Sequence, residues 1–431
     1  MRPRNIRRQK PRATPYNPRM RSVVVGLLVL LAACKKSAPA AESPHDASAP
    51  VATASAVPFA TPAAAPTTCA IAPRGGVAIP ATAKATEIRI GSAGGKALVT
   101  WFEKTNPDEG PYQTFTYGVV FDGTAAGGRF EIESNTVADE PVTGAVPIAV
   151  GNDLVSVSCW YGAPMGYYKC SRRTAGDPKP SPIVSFTGIS SGAPGEVGIA
   201  AVLGADDALV FVPDDTRPDV LAFSASVSGK KKERPFGLRQ GDNLPHADGL
   251  GAVLVSGSEA ALVYRLQDAI IGRRAGFDEK WRGKPVTLSA PHKQGKQPLV
   301  GAPVIASRGD DVAVLFSERA KGTDPWHVTL VDWKGEPKAL PFSTGAEQAQ
   351  APGIAAGGTC FVASWVEGSG KTTRTKLAPL CAGKLDFEHA ITLSTEGVEG
   401  GRAYLAKDAV VWQELPAGKP AELRVAKLVC P

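Results

Sequence analysis

Val304-Ile305-Ala306, Gly309-Asp310-Asp311 and Val312-Ala313-Val314-Leu315-Phe316 are two apolar runs around a turn, and their reading decides the fold of this 431-residue chain. β-Branched residues favour a pleated, half-buried strand, and a Gly/Asp cluster between two such runs signals a hairpin. The second run, ending on an aromatic, occurs seven times. Its copies are Ala97-Leu98-Val99-Thr100-Trp101, Val155-Ser156-Val157-Ser158-Cys159-Trp160, Ala208-Leu209-Val210-Phe211, Ala261-Leu262-Val263-Tyr264, the one above, Phe361-Val362-Ala363-Ser364-Trp365 and Ala409-Val410-Val411-Trp412. Successive aromatics stand 59, 51, 53, 52, 49 and 47 residues apart. A period in this range marks a repeat array.

Each unit continues through a polar alternating stretch and a final strand, as in Thr372 to Leu380 followed by Phe387 to Leu393. Four strands in about 50 residues, repeated radially, resemble a β-propeller blade. The resemblance implies an all-β body over residues 69–431 with seven four-stranded blades. It is architectural only, because the chain shows no WD dipeptide, kelch signature or sialidase box. A pair of β-sandwiches would explain the strands but not the sevenfold spacing. The last unit has one strand after Trp412, Glu422 to Val429, and the segment around Gly76 to Ile79 is expected to supply its missing outer strand. A ring closed by that N-terminal strand has no open edge.

Cys69, Cys159, Cys170, Cys360, Cys381 and Cys430 allow fifteen pairings, of which the repeat register favours one. Cys159 and Cys170 fall on the second and third strands of one unit, Cys360 and Cys381 on comparable strands of another, and each pair is expected to staple a hairpin. Cys69 opens the body and Cys430 all but ends it, so a terminal disulfide between them would join the ring where it closes. No pair has the Cys-x-x-Cys spacing usual in zinc sites, and neither a metal nor a cofactor is expected.

Ahead of the body, eight basic residues from Arg2 to Arg21 precede the eleven-residue apolar run Val23 to Ala33. That run is too short to span a hydrocarbon core, and the charged, apolar, small-residue order is that of a secretory signal. Met20 is an alternative start. Leu31-Ala32-Ala33-Cys34 resembles the lipobox of bacterial lipoproteins. The resemblance implies removal of residues 1–33, acylation of Cys34, and a lipid bilayer as partner. Lys35, rather than Asp, after the cysteine implies the outer membrane. Several acyl chains on one cysteine make a durable anchor. Between Lys35 and Thr68 lie 12 Ala, 6 Pro and 8 Ser or Thr, a composition expected to form a disordered tether over 34–68.

The formal charge of +7 belongs to the targeting segment, for all eight basic residues before Cys34 would be lost and no acidic one. The chain from Cys34 onward then carries forty basic against forty-one acidic residues, and no nucleic-acid partner is expected. Lys230-Lys231-Lys232-Glu233-Arg234 reads as a solvated turn. Gly188-Ile189-Ser190-Ser191-Gly192 fits a nucleophile elbow in letters, but Ala193-Pro194-Gly195 follows where a helix is needed. Gly370-Lys371-Thr372 reads as a turn rather than a phosphate loop, and the five histidines show no metalloprotease spacing.

Four units place a glutamate two residues after the aromatic: Glu103, Glu318, Glu367 and Glu414. Equivalent strand ends meet one face of a disc, so these carboxylates are candidates for an acidic ring at the channel entrance, with hydrogen bonding at a turn as the structural alternative. Loops on that face carry Tyr112, Tyr167, Tyr168 and Trp326, and aromatic loops on a rigid scaffold favour protein or carbohydrate contact. The expected role is a membrane-anchored binding or scaffolding module. The alternatives are a propeller hydrolase or lyase acting on polysaccharide or peptide, and a structural envelope component.

Overall fold

The computed structural model describes residues 68–431 except 82–83, 106–112, 136–141, 163–166, 178–180, 188–197, 205–206, 215–218, 227–233, 237–246, 279, 290–299, 320–324, 335 and 341. The lipobox, the tether, Tyr112, Lys230 to Glu233 and Gly188 to Gly192 lie outside the described residues. Tyr167 and Tyr168 are described in backbone only.

After β1 (Ala70–Ile79), the strands follow one another as antiparallel meanders. The first sheet holds β2 (Thr86–Ala93), β3 (Lys96–Thr105), β4 (Gln113–Phe121) and β5 (Phe130–Asn135). The second holds β6 (Val146–Val150), β7 (Asp153–Gly162), β8 (Tyr167–Thr174) and β9 (Ser181–Thr187). The third holds β10 (Ala200–Leu203), β11 (Asp207–Asp214), β12 (Asp219–Ser226) and β13 (Arg234–Phe236). β14 (Ala247–Val255), β15 (Glu259–Leu266), β16 (Ala269–Gly276) and β17 (Lys280–Thr287) make the fourth. β18 (Val304–Arg308), β19 (Asp311–Glu318), β20 (His327–Asp332) and β21 (Lys338–Leu340) make the fifth. The sixth contains β22 (Ala349–Ala356), β23 (Phe361–Glu367), β24 (Arg374–Cys381), β25 (Lys384–Leu385) and β26 (Ile391–Thr392). The seventh is β27 (Glu399–Ala406), β28 (Ala409–Leu415), β29 (Glu422–Val429) and, outermost, β1.

The architecture is an all-β propeller. The first strands of the sheets, β2, β6, β10, β14, β18, β22 and β27, touch in that order, and β27 returns to β2. Sheets this close need small residues on their inner strands. A Cβ built on Gly91 would stand 2.9 Å from Pro147 O, and one on Gly353 would stand 2.7 Å from Ala403 O. The core divides accordingly into layers between neighbouring sheets. One joins Val155, Val157 and Cys159 to Ala208, Val210 and Val212, and another joins Val411 and Val425 of the seventh sheet to Val99 and Trp101 of the first. Turns between first and second strands are tight, as at Gly94 (φ 57°) and Gly95 (φ 77°), where the left-handed backbone favours glycine.

Three sequence expectations need correction. The sheets are not uniformly four-stranded, for the sixth has five strands. Its expected last strand, Phe387 to Leu393, is interrupted because Phe387–His389 winds into one 3₁₀ turn capped by Asp386, whose Oδ1 accepts from His389 N at 3.4 Å. The aromatics are not all equivalent either. Tyr264, Phe316, Trp365 and Trp412 pack against the preceding sheet and Trp101 against the seventh, whereas Phe211 packs against the following one, beside Leu262 and Tyr264. With a side-chain period of two, displacement by one residue turns a side chain to the other face.

Disulfides join Cys69 to Cys430, Cys159 to Cys170 and Cys360 to Cys381, the pairing the repeat register favoured. β1 pairs with β29 from Ala70↔Val429 to Ile79↔Leu423, with a bulge between Ala72 and Val77. That bulge brings Gly75 O to Arg424 Nη1 at 2.8 Å and seats Gly76 against the Trp412 ring, where a Cβ would collide.

Candidate functional site

Second strands end, and first strands begin, on one face of the disc, here the mouth face. Cys69 and Cys430 lie at the opposite face, because β29 runs away from the end of β28 and Gly358 N of the β22–β23 turn donates to Pro431 O at 3.0 Å.

The four glutamates sit on second strands, and the structure places each against its own sheet. Trp101 Nε1 donates to Glu103 at 2.7 Å, Trp365 Nε1 to Glu367 at 3.2 Å and Trp412 Nε1 to Glu414 at 3.3 Å. Residues two apart on a strand share a face, so a buried indole N–H finds its acceptor in the carboxylate two positions on. Glu414, 2% exposed, also accepts from Thr395 N at 2.7 Å and Thr395 Oγ1 at 2.8 Å, and lies 2.9 Å from Arg424 Nε. Glu367 pairs with Lys376 Nζ at 3.4 Å, and Thr329 Oγ1 donates to Glu318. None of the four lines the channel, and no group of three or more His, Cys, Asp or Glu able to hold a metal occurs among the described residues. Three tryptophan–carboxylate pairs, at Glu103, Glu367 and Glu414, and the Thr329 bond to Glu318 stand where the sequence suggested an acidic ring.

The channel entrance has another set of polar groups. A cavity of about 360 Å³ is lined by residues from all seven first strands, among them Ile90, Val146, Ala201, Ala252, Val304, Ile354 and Leu405, with Glu87, Arg89, Arg402 and Tyr404 as its polar members. Bulges between Thr86 and Arg89, Asp248 and Gly251, Gln350 and Gly353, and Gly400 and Ala403 occur at comparable points of β2, β14, β22 and β27. A bulge re-aims the side chains beside it. At three of them the backbone is left-handed: Gly249 (φ 60°), and the non-glycine residues Glu87 (φ 48°) and Ala351 (φ 49°). Such a conformation at a non-glycine residue costs on the order of 1–3 kcal/mol and persists where its surroundings hold it.

For Glu87 the surroundings are visible. Its Oε2 pairs with Arg89 Nη2 at 3.3 Å, and Arg89 Nη1 donates to Ile199 O of the third sheet. A Cβ on Gly144 would stand 3.0 Å from Glu87 Cβ, and one on Gly198 3.0 Å from Glu87 Oε2, so glycines just before β6 and β10 make room for the strut. Burial pushes the Tyr404 phenol above its ordinary value; Arg402 opposes the shift, Glu87 reinforces it and Arg89 opposes it.

A second cavity, of about 600 Å³, adjoins the mouth between the fourth and seventh sheets. It is lined by Arg265, Arg319, Arg402, Trp326, Gln350 and Ser317 over a wall of small residues. Of the aromatic candidates, Trp326 is thus placed in a cavity, with the Arg319 guanidinium 4.6 Å from its ring centre. The arginines were missed in the sequence. Arg89 ends one bulge and Arg402 lies within another, which alternation does not reveal, and only ring closure brings Arg265, Arg319 and Arg402 to one cavity.

No protein-family model matches the chain, and no curated protein matches it. Solved structures similar to it include a puromycin-hydrolyzing peptidase of Mycobacterium tuberculosis, at 15% identity and TM-score 0.49 over 82% of this chain and 56% of that one. The β-propeller domain of the Trilobed protease from Pyrococcus furiosus matches at 9% identity and TM-score 0.45, over 79% and 95% of the two chains. Trypanosoma rangeli sialidase matches at 9% identity and TM-score 0.41, over 80% and 68%. The chain spans little more than half of the peptidase's length.

Proposed function

We propose that this chain is an extracytoplasmic lipoprotein, fastened to a bilayer through acylated Cys34, whose propeller serves as a binding or scaffolding module at its mouth face. In this reading each of the seven sheets is one blade of a closed ring, supported by the return contact of β27 with β2. The observation that carries the proposal is the clamp between Cys69 and Cys430 on the face opposite the mouth. In this reading the chain from Cys34 enters the body at Cys69, within that clamp, which leaves the mouth face to a ligand. Three disulfides also suit an oxidising compartment outside the cytosol.

Intact-mass analysis of the membrane-bound protein tests the anchor, with an acylated N-terminal Cys34 expected and release of Cys34→Ser into the soluble fraction. Photo-crosslinkers placed at Trp326 on the mouth face and at Lys407 on the opposite face test the module. Partner capture from Trp326 alone is expected. An unprocessed N-terminus with a bare thiol in the cytosol, or equal capture from both faces, would overturn the reading.

A further inference from the structure

The cavity lined from the fourth to the seventh sheet carries a concentration of positive charge. Three guanidinium groups line it, those of Arg265, Arg319 and Arg402, with no Asp or Glu among its described lining residues. Arg265 already has a carboxylate, since its Nε donates to Asp248 Oδ1 at 2.7 Å while its Nη1 donates to Val300 O at 3.1 Å. Arg402 has none. Its Nε is shielded from solvent and meets no acceptor, its Nη2 reaches Pro352 O only at 3.5 Å, and its guanidinium lies 5.2 Å from the Tyr404 ring centre. With Nε enclosed, the terminal Nη groups are those left to meet a ligand, and the planar guanidinium matches a carboxylate.

We propose that this cavity binds a carboxylate-bearing sugar unit, the acid group seated on Arg402 and Arg319. The proposal rests on the mouth-face binding module above and names its ligand class. Gln350 and the Ser317 hydroxyl supply neutral donors and acceptors of the kind that hydroxyl groups satisfy. Trp326, oriented by Arg319, presents a flat apolar wall suited to the C–H face of a pyranose. Gly301, Ala302 and Ala351 line the cavity with small side chains that leave room for a ring beside Trp326. Its volume of about 600 Å³ accommodates one or two sugar units.

The test titrates the full-length, detergent-solubilised protein calorimetrically at low salt with three probes: digalacturonate, the same disaccharide with its carboxylates reduced to alcohols, and N-acetyl-dialanine with a free carboxylate. Digalacturonate should bind at least tenfold more tightly than either other probe. Arg402→Gln and Arg319→Gln should each weaken it at least tenfold with thermal unfolding unchanged. The wild-type comparison of acid and reduced sugar stands even where a variant fails to fold. The proposal is overturned by absence of digalacturonate binding, by equal binding of the reduced sugar, by tighter binding of the dipeptide, or by folded variants of unchanged affinity. Partner capture from Trp326 together with any of these results would leave the binding module standing and remove only the sugar.

Discussion

Truncation of Glu414 separates a structural carboxylate from a ligand-binding one. Glu414→Ala would leave Trp412 Nε1 and Thr395 N without the acceptor they now share, at 3.3 and 2.7 Å. The Thr395 hydroxyl can rotate toward water, and Arg424 keeps Gly75 O at 2.8 Å and Glu422 at 3.6 Å. Stranding a buried donor costs about 1–3 kcal/mol, and removing one member of a buried ion pair about 3–5 kcal/mol. Because Thr395 is exposed and its N–H can turn to water, and Arg424 is 27% exposed, the loss is expected toward the lower of these ranges, about 2–3 kcal/mol. Urea unfolding followed by tryptophan fluorescence should show the unfolding free energy falling by that amount, read as a lower midpoint at constant slope. Glu414→Gln, which keeps an acceptor oxygen, should lose less than half as much. Glu318→Ala should also lose less, because its aromatic, Phe316, has no N–H to strand. A Glu414→Ala variant of near-native stability would refute the tryptophan-anchor argument. If that variant also lost partner binding, the acidic ring would be restored.

The disulfides should rank by the length of chain they close. In the loop-entropy account, the 361-residue separation of Cys69 and Cys430 corresponds to about 5–6 kcal/mol, and the separations of 11 and 21 in the other two pairs to about 3 kcal/mol each. Paired Cys→Ser variants compared by thermal unfolding check this order, and a Cys69/Cys430 variant that melts no lower than Cys159/Cys170 contradicts it. Glu133 should give a pH signature. Burial raises its pKa, partly opposed by the Ser171 hydrogen bond, so the fold favours the protonated acid and loses stability as pH rises through the raised value. Glu133→Gln should therefore melt higher than the parent at pH 7 and match it below about pH 4, where an unfolded glutamic acid is protonated as well. A melting difference that does not change with pH would show that charge is not the cause.

Much of the fold is legible in the sequence because its signals are local. A strand period of two, a Gly/Asp turn and an aromatic at a fixed distance recur in each unit, and together they also set the register that pairs the cysteines. The closing strand is legible because the last unit is visibly one strand short. Phe211 is misread because a strand's period tells the two faces apart only relative to a reference residue, and the spacings of 51 and 53 on either side of it carry the slip. The Trp–Glu pairs were within reach of the same alternation, since residues two apart share a face. An acidic ring instead emphasises the equivalence of strand ends and overlooks the indole N–H. The arginine-lined cavity is illegible for a different reason. Arg265 ends one strand, Arg319 follows another and Arg402 lies on a bulge, so nothing local links them before the sheets close into a ring.

On the proposed anchoring, the position of the terminal disulfide has a mechanical consequence. β1 lies at the outer edge of the seventh sheet, held to β29 by a ladder that starts at Ala70↔Val429, next to Cys69. A pull on the tether reaches that end of the ladder first. Without the bond, β1 could be peeled away one hydrogen-bonded pair at a time, the mode in which each bond bears the load alone. With Cys69 joined to Cys430, the load passes covalently to β29, a strand already bonded on both sides. Peeling β1 would also draw Gly76 off the Trp412 ring and Gly75 O off Arg424, the residue that pairs with Glu414. On that proposal the clamp would protect the carboxylate network that supports the last strands at the mouth, and a body tied down at the clamped end would keep its opposite face intact.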